Sequence, residues 1–387
     1  MKLEEAGAIF VAVGVVLLLP IQGRSRQPDT QHDYQAAQTL ETEGKLQPAE
    51  QRLRSILAEN PGDVGALNEL GVVLAREGRY REAATEYQKA LAINPGHPQV
   101  QLNLGLAYFK MGKFKDAIPP LRRSLALQPS SIQARTLLGM AYYGDREYRE
   151  AASHLEKVAS RQPQNSTLLY VLAESYLWSG QYQQVLKLFE TIQSENPQSA
   201  AAHMLTGEAL DGLDRTTQAI AEFRAAAQAA PRQPNVHFSL GYLYWKQRKF
   251  DQAEEEFRLE LQNDPAHAPS LAYLGDVYFR RRDFESSERL LLHALKLEPT
   301  IRIAYVDLGA IHSSGKQFEK AVGELNKAIQ LDPARVDAHY RLAATYQAMG
   351  RNQEAAEQRE KVKTLQQTKE LELLHKISGP PPVPTIE

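Results

Sequence analysis

Apolar side chains recur along this chain with helical spacings that are interrupted by turn residues. Leu70 and Leu74 stand four residues apart, and Ala83 and Tyr87 repeat that spacing after a break at Gly78. Residues spaced by three or four positions lie on one face of an α-helix. The pattern therefore predicts two short amphipathic helices that are joined by a tight turn.

This helix pair returns every 34 residues. We number each repeat so that its closing proline is position 32, which places the first repeat at residue 30 and the last at residue 336. A proline cannot continue the second helix, so it ends each pair. Constant self-similarity at this period predicts a stacked repeat array. The closing prolines are Pro61, Pro95, Pro129, Pro163, Pro197, Pro231, Pro265, Pro299 and Pro333.

Position 8 of the repeat is glycine in seven repeats, from Gly71 to Gly309. A glycine inside a helix costs about 1 kcal/mol relative to alanine, so its recurrence needs a packing reason. We predict that the two helices of a repeat touch at position 8 and leave no room for a larger side chain. Because Ala173 and Ala343 occupy the same position, alanine is expected to be tolerated at Gly241, whereas leucine is not.

These residues resemble the tetratricopeptide repeat family over roughly residues 30–365. The shared features are Leu at position 7, Gly at 8, Tyr at 11, Ala at 20 and 27, a large apolar residue at 24 and Pro at 32. Glu260 at position 27 is a departure. The resemblance implies an all-α, right-handed solenoid, or superhelix, of about ten antiparallel helix pairs. The repeat at 98–131 matches well, with Leu104, Gly105, Tyr108, Ala117, Leu121 and Pro129.

The two ends of the chain differ from the array. Residues 6–21 form an uncharged apolar run, which as a helix would span roughly 24 Å. That length is short for a membrane span and suits the core of a signal peptide. We therefore predict that residues 1–29 export the protein to the periplasm or anchor it to a membrane, with a cytoplasmic protein as the alternative. Residues 366–387 predict a charged helix and a Pro-rich tail.

Composition and spacing argue against several classes of function. The 45 Lys and Arg residues balance 47 Asp and Glu residues, so no polycationic surface for nucleic acid is predicted. The chain has no cysteine, which excludes thiolate metal ligands and cysteine nucleophiles. His203, His237 and His339 recur at position 4 and are interpreted as packing residues without a carboxylate partner. We predict no enzyme activity, no metal site and no cofactor.

The resemblance also implies where a ligand would bind. In the family, the first helix of each repeat lines the concave face, and positions 2, 5, 9, 12 and 13 point into it. Residues 64–165 place mostly apolar side chains at these positions, namely Leu102, Leu106, Phe109, Met140 and Tyr143. Residues 166–301 place aromatic, methionine and acidic side chains there. The candidate binding residues are Tyr170, Glu174, Trp178, Met204, Glu208, Asp211, Phe238, Tyr242, Trp245, Asp276 and Phe279.

Aromatic side chains beside unpaired carboxylates are typical of a recognition surface. The acidic members favour a protein or peptide segment with basic residues among apolar ones. We therefore predict a non-catalytic scaffold or adaptor that binds protein segments in its concave groove. Its predicted location is the cell envelope. The alternative is a scaffold for envelope polysaccharide assembly, because aromatic grooves also stack on sugars. A third interpretation is that the same aromatic side chains pack on neighbouring repeats.

Overall fold

The computed structural model describes residues 28–195 and 199–378. The described residues form twenty α-helices and no strand. None of the helices in these ranges is both long and apolar enough to span a bilayer. The predicted leader at residues 6–21 and the Pro-rich tail at residues 379–387 lie outside the described residues, so both remain predictions.

The first compact unit contains the described residues up to 195 together with residues 208–214. Consecutive helices pack against each other in pairs, and each pair packs on the next. Its helices are α1 (Pro28–Thr42), α2 (Leu46–Glu59), α3 (Val64–Arg76), α4 (Tyr80–Ile93), α5 (Pro98–Lys110), α6 (Phe114–Leu127), α7 (Ile132–Gly144), α8 (Tyr148–Ala159), α9 (Ser166–Trp178) and α10 (Tyr182–Glu195). The next helix, α11 (Ala200–Gly212), supplies residues to both units.

The second unit contains residues 199–207 and 215–378 of the described chain. It repeats the same packing of helix pairs, which confirms the prediction of an all-α solenoid. Its remaining helices are α12 (Thr216–Ala229), α13 (Val236–Lys246), α14 (Phe250–Asn263), α15 (Ala268–Arg280), α16 (Phe284–Leu297), α17 (Arg302–Ser314), α18 (Phe318–Leu331), α19 (Val336–Ala348) and α20 (Asn352–Ser378).

The turn between the two helices of each repeat uses a left-handed residue at position 15. Five of these residues are glycines, for which positive φ has no steric cost. The other five are Arg146, Asp214, Arg248, Arg282 and Lys316, with φ between 57° and 64°. Left-handed backbone costs a non-glycine residue about 1–2 kcal/mol. The short turn imposes this conformation on every repeat, whatever residue is present.

Position 8 is a point of close contact between the two helices of a repeat, as predicted. An added Cβ at Gly71 would lie 2.4 Å from the ring of Tyr87, and one at Gly241 would lie 2.6 Å from that of Phe257. Both rings stand at position 24 and are fully buried. An alanine Cβ at Gly241 would overlap Phe257 unless the ring shifts, so we now expect alanine there to lower stability, against the expectation from the sequence.

The departure at Glu260 has a structural reason. Asn235 adopts a left-handed conformation before α13 and makes no side-chain cap there. The carboxylate of Glu260 takes over this role, accepting hydrogen bonds from the backbone N–H groups of Asn235, His237 and Phe238 at 2.9–3.2 Å. Glu260 thus satisfies helix N-terminal donors that would otherwise be unpaired.

The histidines at position 4 have partners that the sequence interpretation missed. His203 Nδ1 lies 2.7 Å from Glu222 Oε2, and His237 Nδ1 lies 2.7 Å from Glu256 Oε2. His339 makes the equivalent contact with a glutamine, Gln358. All three partners stand at position 23 on the second helix. The interpretation without a carboxylate partner was wrong for His203 and His237, because the helix pairing brings positions 4 and 23 together, whereas position 23 opposite His339 is a glutamine.

Candidate functional site

The first helices of neighbouring repeats also contact each other within each unit. This packing covers much of the face that was predicted to line the groove. Leu102, Leu106, Phe109 and Met140 are all buried. The first repeats therefore offer few free apolar side chains on this face, and packing on neighbouring repeats accounts for these four.

The candidate binding residues fall into two groups, one in each unit. The first group contains Tyr170, Glu174, Trp178, Glu208 and Asp211. The second group contains Met204, Phe238, Tyr242, Trp245, Asp276 and Phe279. Met204 and Asp276 are buried, whereas Trp178 is exposed and the others are intermediate.

Trp178 is the exposed aromatic side chain of the first group, with 57% of its surface accessible. Its ring lies 6.3 Å from that of Tyr148, which in turn meets Tyr143 edge-on at 5.8 Å. Tyr148 begins α8 and stands at position 17, from which it reaches position 13 of the next repeat. We call Tyr143, Tyr148 and Trp178, with the carboxylates of Glu174 and Glu208, the Trp178 patch.

The two carboxylates of this patch are both perturbed. The Tyr143 hydroxyl donates a hydrogen bond to Glu174 Oε2. Burial nevertheless raises the pKa of Glu174 above its usual range. Burial, together with the charge of Glu174, raises the pKa of Glu208 to about 7. No lysine or arginine in the described ranges forms an ion pair with either carboxylate.

The second group is built around an aromatic side chain that the sequence interpretation did not select. Tyr273 packs its ring 5.9 Å from Phe238, 5.4 Å from Tyr242 and 5.0 Å from Trp245. It stands at position 6, which lies only about 20° from position 13 around a helix. The helical period could therefore have identified Tyr273 as a member of this face.

Asp276 is not an unpaired carboxylate, contrary to the sequence interpretation. It is 1% exposed, and its Oδ2 accepts hydrogen bonds from Trp245 Nε1 and Arg280 Nε, each at 2.5 Å. The Arg280 guanidinium lies over the Trp245 ring at 5.4 Å and over the Phe250 ring at 5.5 Å. The predicted surface here is an internal network in which the chain supplies its own cation.

A second buried carboxylate adjoins this network. Asp307 is 2% exposed, and burial beside Asp276 raises its pKa well above the usual range. Arg341 Nη2 lies 3.9 Å from Asp307 Oδ1, and the same guanidinium lies 5.1 Å from the ring of Phe279. Phe279 is thus partly covered by an arginine. The described residues hold no group of three or more His, Asp or Glu side chains placed for a metal ion.

Sequence comparison places the chain in a family. Three models described as tetratricopeptide repeat or TPR repeat match it: the first at 142–209, the second at 71–112 and 311–350, and the third at 102–166, 211–268 and 238–301. Together these matches cover most of the array. The chain belongs to the tetratricopeptide repeat (TPR) family.

Several solved structures are similar to this TPR chain. The structure of Naa15/Naa10 bound to HypK-THB shares 15% identity with a TM-score of 0.47, covering 87% of this chain and 63% of that one. YrrB, a TPR protein with an unusual peptide-binding site, shares 19% identity with a TM-score of 0.37, covering 49% and 97%. Yeast Tom70 shares 17% identity with a TM-score of 0.42, covering 87% and 85%. The comparison with curated proteins gave no match.

Membership of the TPR family supports a protein-interaction scaffold. The geometry then separates the two groups of candidate residues. In the second unit, aromatic rings stack on one another and Asp276 is already paired. In the first unit, the Trp178 patch combines an exposed indole with two carboxylates that have no cationic partner among the described residues.

Proposed function

We propose that this protein is a non-catalytic scaffold that binds protein segments at the Trp178 patch. The observation that carries the proposal is the exposure of Trp178 beside two carboxylates on the first-helix face. Large aromatic side chains dominate the binding energy of protein interfaces, and they do so when surrounding contacts exclude water. A segment laid across α9 would bury the indole and bring its own side chains to Glu174 and Glu208.

The expected partner carries basic side chains among apolar ones. An apolar side chain would cover Trp178 and the edge of Tyr148, while a cation would approach the carboxylates. Complementary charge also speeds association and selects against acidic partners. Because the protein has no excess of positive charge overall, we expect nucleic acid not to compete for this patch.

The test is a comparison of two alanine variants against peptides selected on the purified protein. Trp178→Ala should weaken binding of the selected peptides at least about tenfold, which is about 1.4 kcal/mol. Leu292→Ala is the matched control, since Leu292 is a similarly exposed apolar side chain on a second helix. Circular dichroism should show unchanged helix content in both. Equal losses in the two variants, or none in Trp178→Ala, would remove this patch as the binding site.

Polysaccharide is the competing ligand class, because an exposed indole can also stack on a sugar ring. An array of envelope polysaccharides should be titrated against the same protein. Retention of a polysaccharide that depends on Trp178, together with no selected peptide, would favour the polysaccharide-assembly scaffold. We expect the opposite pattern, because a basic side chain would neutralise the two adjacent carboxylates, whereas a sugar hydroxyl would only donate a hydrogen bond to them.

We further propose that residues 6–21 direct the protein to the cell envelope, either exported or anchored in the membrane. The proposal rests on the length of this run and its lack of charge. A reporter fused after residue 30 should be exported or membrane-bound. Val13→Arg should return it to the cytoplasm, and Gly14→Ala serves as the uncharged control. A soluble cytoplasmic reporter without any substitution would refute a targeting role.

A further inference from the structure

The two groups of candidate residues share one arrangement of side chains. In the first unit, the Tyr143 hydroxyl at position 12 donates to Glu174 at position 9 of the next repeat. In the second unit, the Trp245 indole at position 12 donates to Asp276 at position 9 of the next repeat. Each carboxylate also has a second one near it in the following repeat, although at different positions: Glu208 at position 9 in the first case and Asp307 at position 6 in the second.

The two arrangements differ at position 13, four residues after the carboxylate. Position 13 is Arg280 in the second unit, where the guanidinium pairs with Asp276 and lies over the ring of Phe250. Position 13 is Trp178 in the first unit, where the indole packs near the ring of Tyr148. Phe250 and Tyr148 both stand at position 17 of the preceding repeat. The second unit therefore shows how a guanidinium binds in this arrangement, whereas none of the described residues places a guanidinium beside Glu174.

We propose that the Trp178 patch binds the guanidinium of an arginine from a partner protein segment, an inference that rests on the proposed function of this patch. The guanidinium would lie between Glu174 and Glu208 and stack on the exposed Trp178 ring. Its partners would be those that Arg280 has within the chain, a carboxylate and an aromatic face. Unlike the guanidinium of Arg280, this guanidinium would come from another molecule.

Charge and shape both favour arginine over other side chains. Glu174 and Glu208 repel each other, and a single cation between them removes that repulsion. A planar guanidinium can donate to both carboxylates while its face stacks on an indole, whereas a lysine ammonium is a compact, strongly hydrated point charge. Since burial and Glu174 raise the pKa of Glu208 to about 7, arginine binding should tighten as the pH rises through that value.

The direct test uses short blocked peptides that carry one arginine, lysine or citrulline between leucines. Citrulline keeps the shape of arginine and removes its charge. We expect the arginine peptide to bind at least about tenfold more tightly than the citrulline peptide. Glu174→Gln and Glu208→Gln should each abolish that preference. Glu255→Gln, an exposed acid on the second helix of its repeat, is the control and should retain it.

A gain of stability provides an independent test. Trp178→Arg would copy the spacing of Arg280 to Asp276, placing a guanidinium four residues after Glu174. We expect this variant to lose the arginine peptide and to melt at a higher temperature than the parent. Trp178→Gln should lose the peptide without any increase in melting temperature. A Trp178→Arg variant that melts no higher than Trp178→Gln would contradict the proposed site for a guanidinium.

The outcomes separate the two proposals for this patch. Binding that depends on Trp178 but is equal for arginine and citrulline would leave the docking surface standing and overturn the arginine inference. Failure of the arginine peptide to bind the parent protein would also overturn it, even if longer selected peptides still require Trp178. If those selected peptides bind Trp178→Ala normally, both proposals are wrong.

Discussion

The contact between Gly241 and Phe257 gives the most quantitative prediction about this fold. Gly241 lies inside α13, where replacing glycine by alanine alone would stabilise the helix by about 1 kcal/mol. The added Cβ would lie 2.6 Å from Phe257 Cε1 and 2.7 Å from Cδ1. Phe257 is fully buried, so its ring cannot swing into solvent. Overpacking of this kind costs about 1–3 kcal/mol.

The two terms together predict that Gly241→Ala changes stability by between about 0 and 2 kcal/mol, in the destabilising direction. Gly241→Leu should lose more, because its further carbons must also enter the contact with Phe257. Natural alanines also occupy this position of the repeat. In the repeat of Ala173, position 24 is Phe189, which is half-buried, whereas Phe257 is fully buried. The repeat of Ala343 has no aromatic residue at position 24. In that repeat position 24 is Arg359, a flexible and exposed side chain.

A matched control lies in the same unit. Gly323 is an exposed glycine inside α18, and an added Cβ there would meet nothing within 4 Å. Gly323→Ala should therefore stabilise the protein by about 1 kcal/mol. Thermal unfolding followed by circular dichroism at matched concentration would measure both variants. If Gly241→Ala raises the midpoint as much as Gly323→Ala, Phe257 is free to move and the close-contact explanation is refuted.

Three further predictions concern single side chains. Arg248 has φ of 60° and an exposed side chain, so Arg248→Gly should raise the free energy of unfolding by up to about 1 kcal/mol. Gln247→Gly, at φ of −80°, should lower it, and urea unfolding would measure both. Trp245→Phe removes the donor to buried Asp276 and should cost about 1–3 kcal/mol in urea unfolding; an unchanged midpoint would mean that Arg280 alone satisfies the carboxylate. The pKa of Glu208 is raised to about 7 from 4.5, so the folded state binds the proton more tightly and stability should fall, by at most about 3 kcal/mol, as the pH rises from about 4.5 to about 7, and then level off. Glu208→Gln should flatten this fall in melting temperature, and an equal slope in parent and variant would contradict it.

The helix pairs and their close contacts could be predicted because they depend on short stretches of chain. The spacing of Leu70 and Leu74 reports the helical period, and a proline ends a helix wherever it occurs. Glycine at position 8 predicted a contact with the partner helix, and Tyr87 and Phe257 confirm it. Tyr273 was missed although the same period places it on the relevant face, because position 6 is not one of the five positions that the family resemblance implies.

The state of the candidate carboxylates could not be predicted in the same way. Asp276 appeared unpaired because its indole donor, Trp245, lies 31 residues away in the preceding repeat. Glu174 is also hydrogen-bonded to Tyr143, which lies 31 residues before it in the sequence. The pairing of His203 with Glu222 likewise depends on how two helices of one repeat face each other.

The sequence by itself determined that this protein is a stack of helix pairs with a 34-residue period, because helix periodicity and the limits on proline and glycine are local properties of the chain. Only the tertiary structure decided which side chains on the first-helix face are already used. The packing of one repeat on the next buries Met140 and pairs Asp276, yet leaves Trp178 exposed beside Glu174 and Glu208. Exposure and pairing depend on contacts between side chains of different repeats, and the local spacing of residues does not predict those contacts.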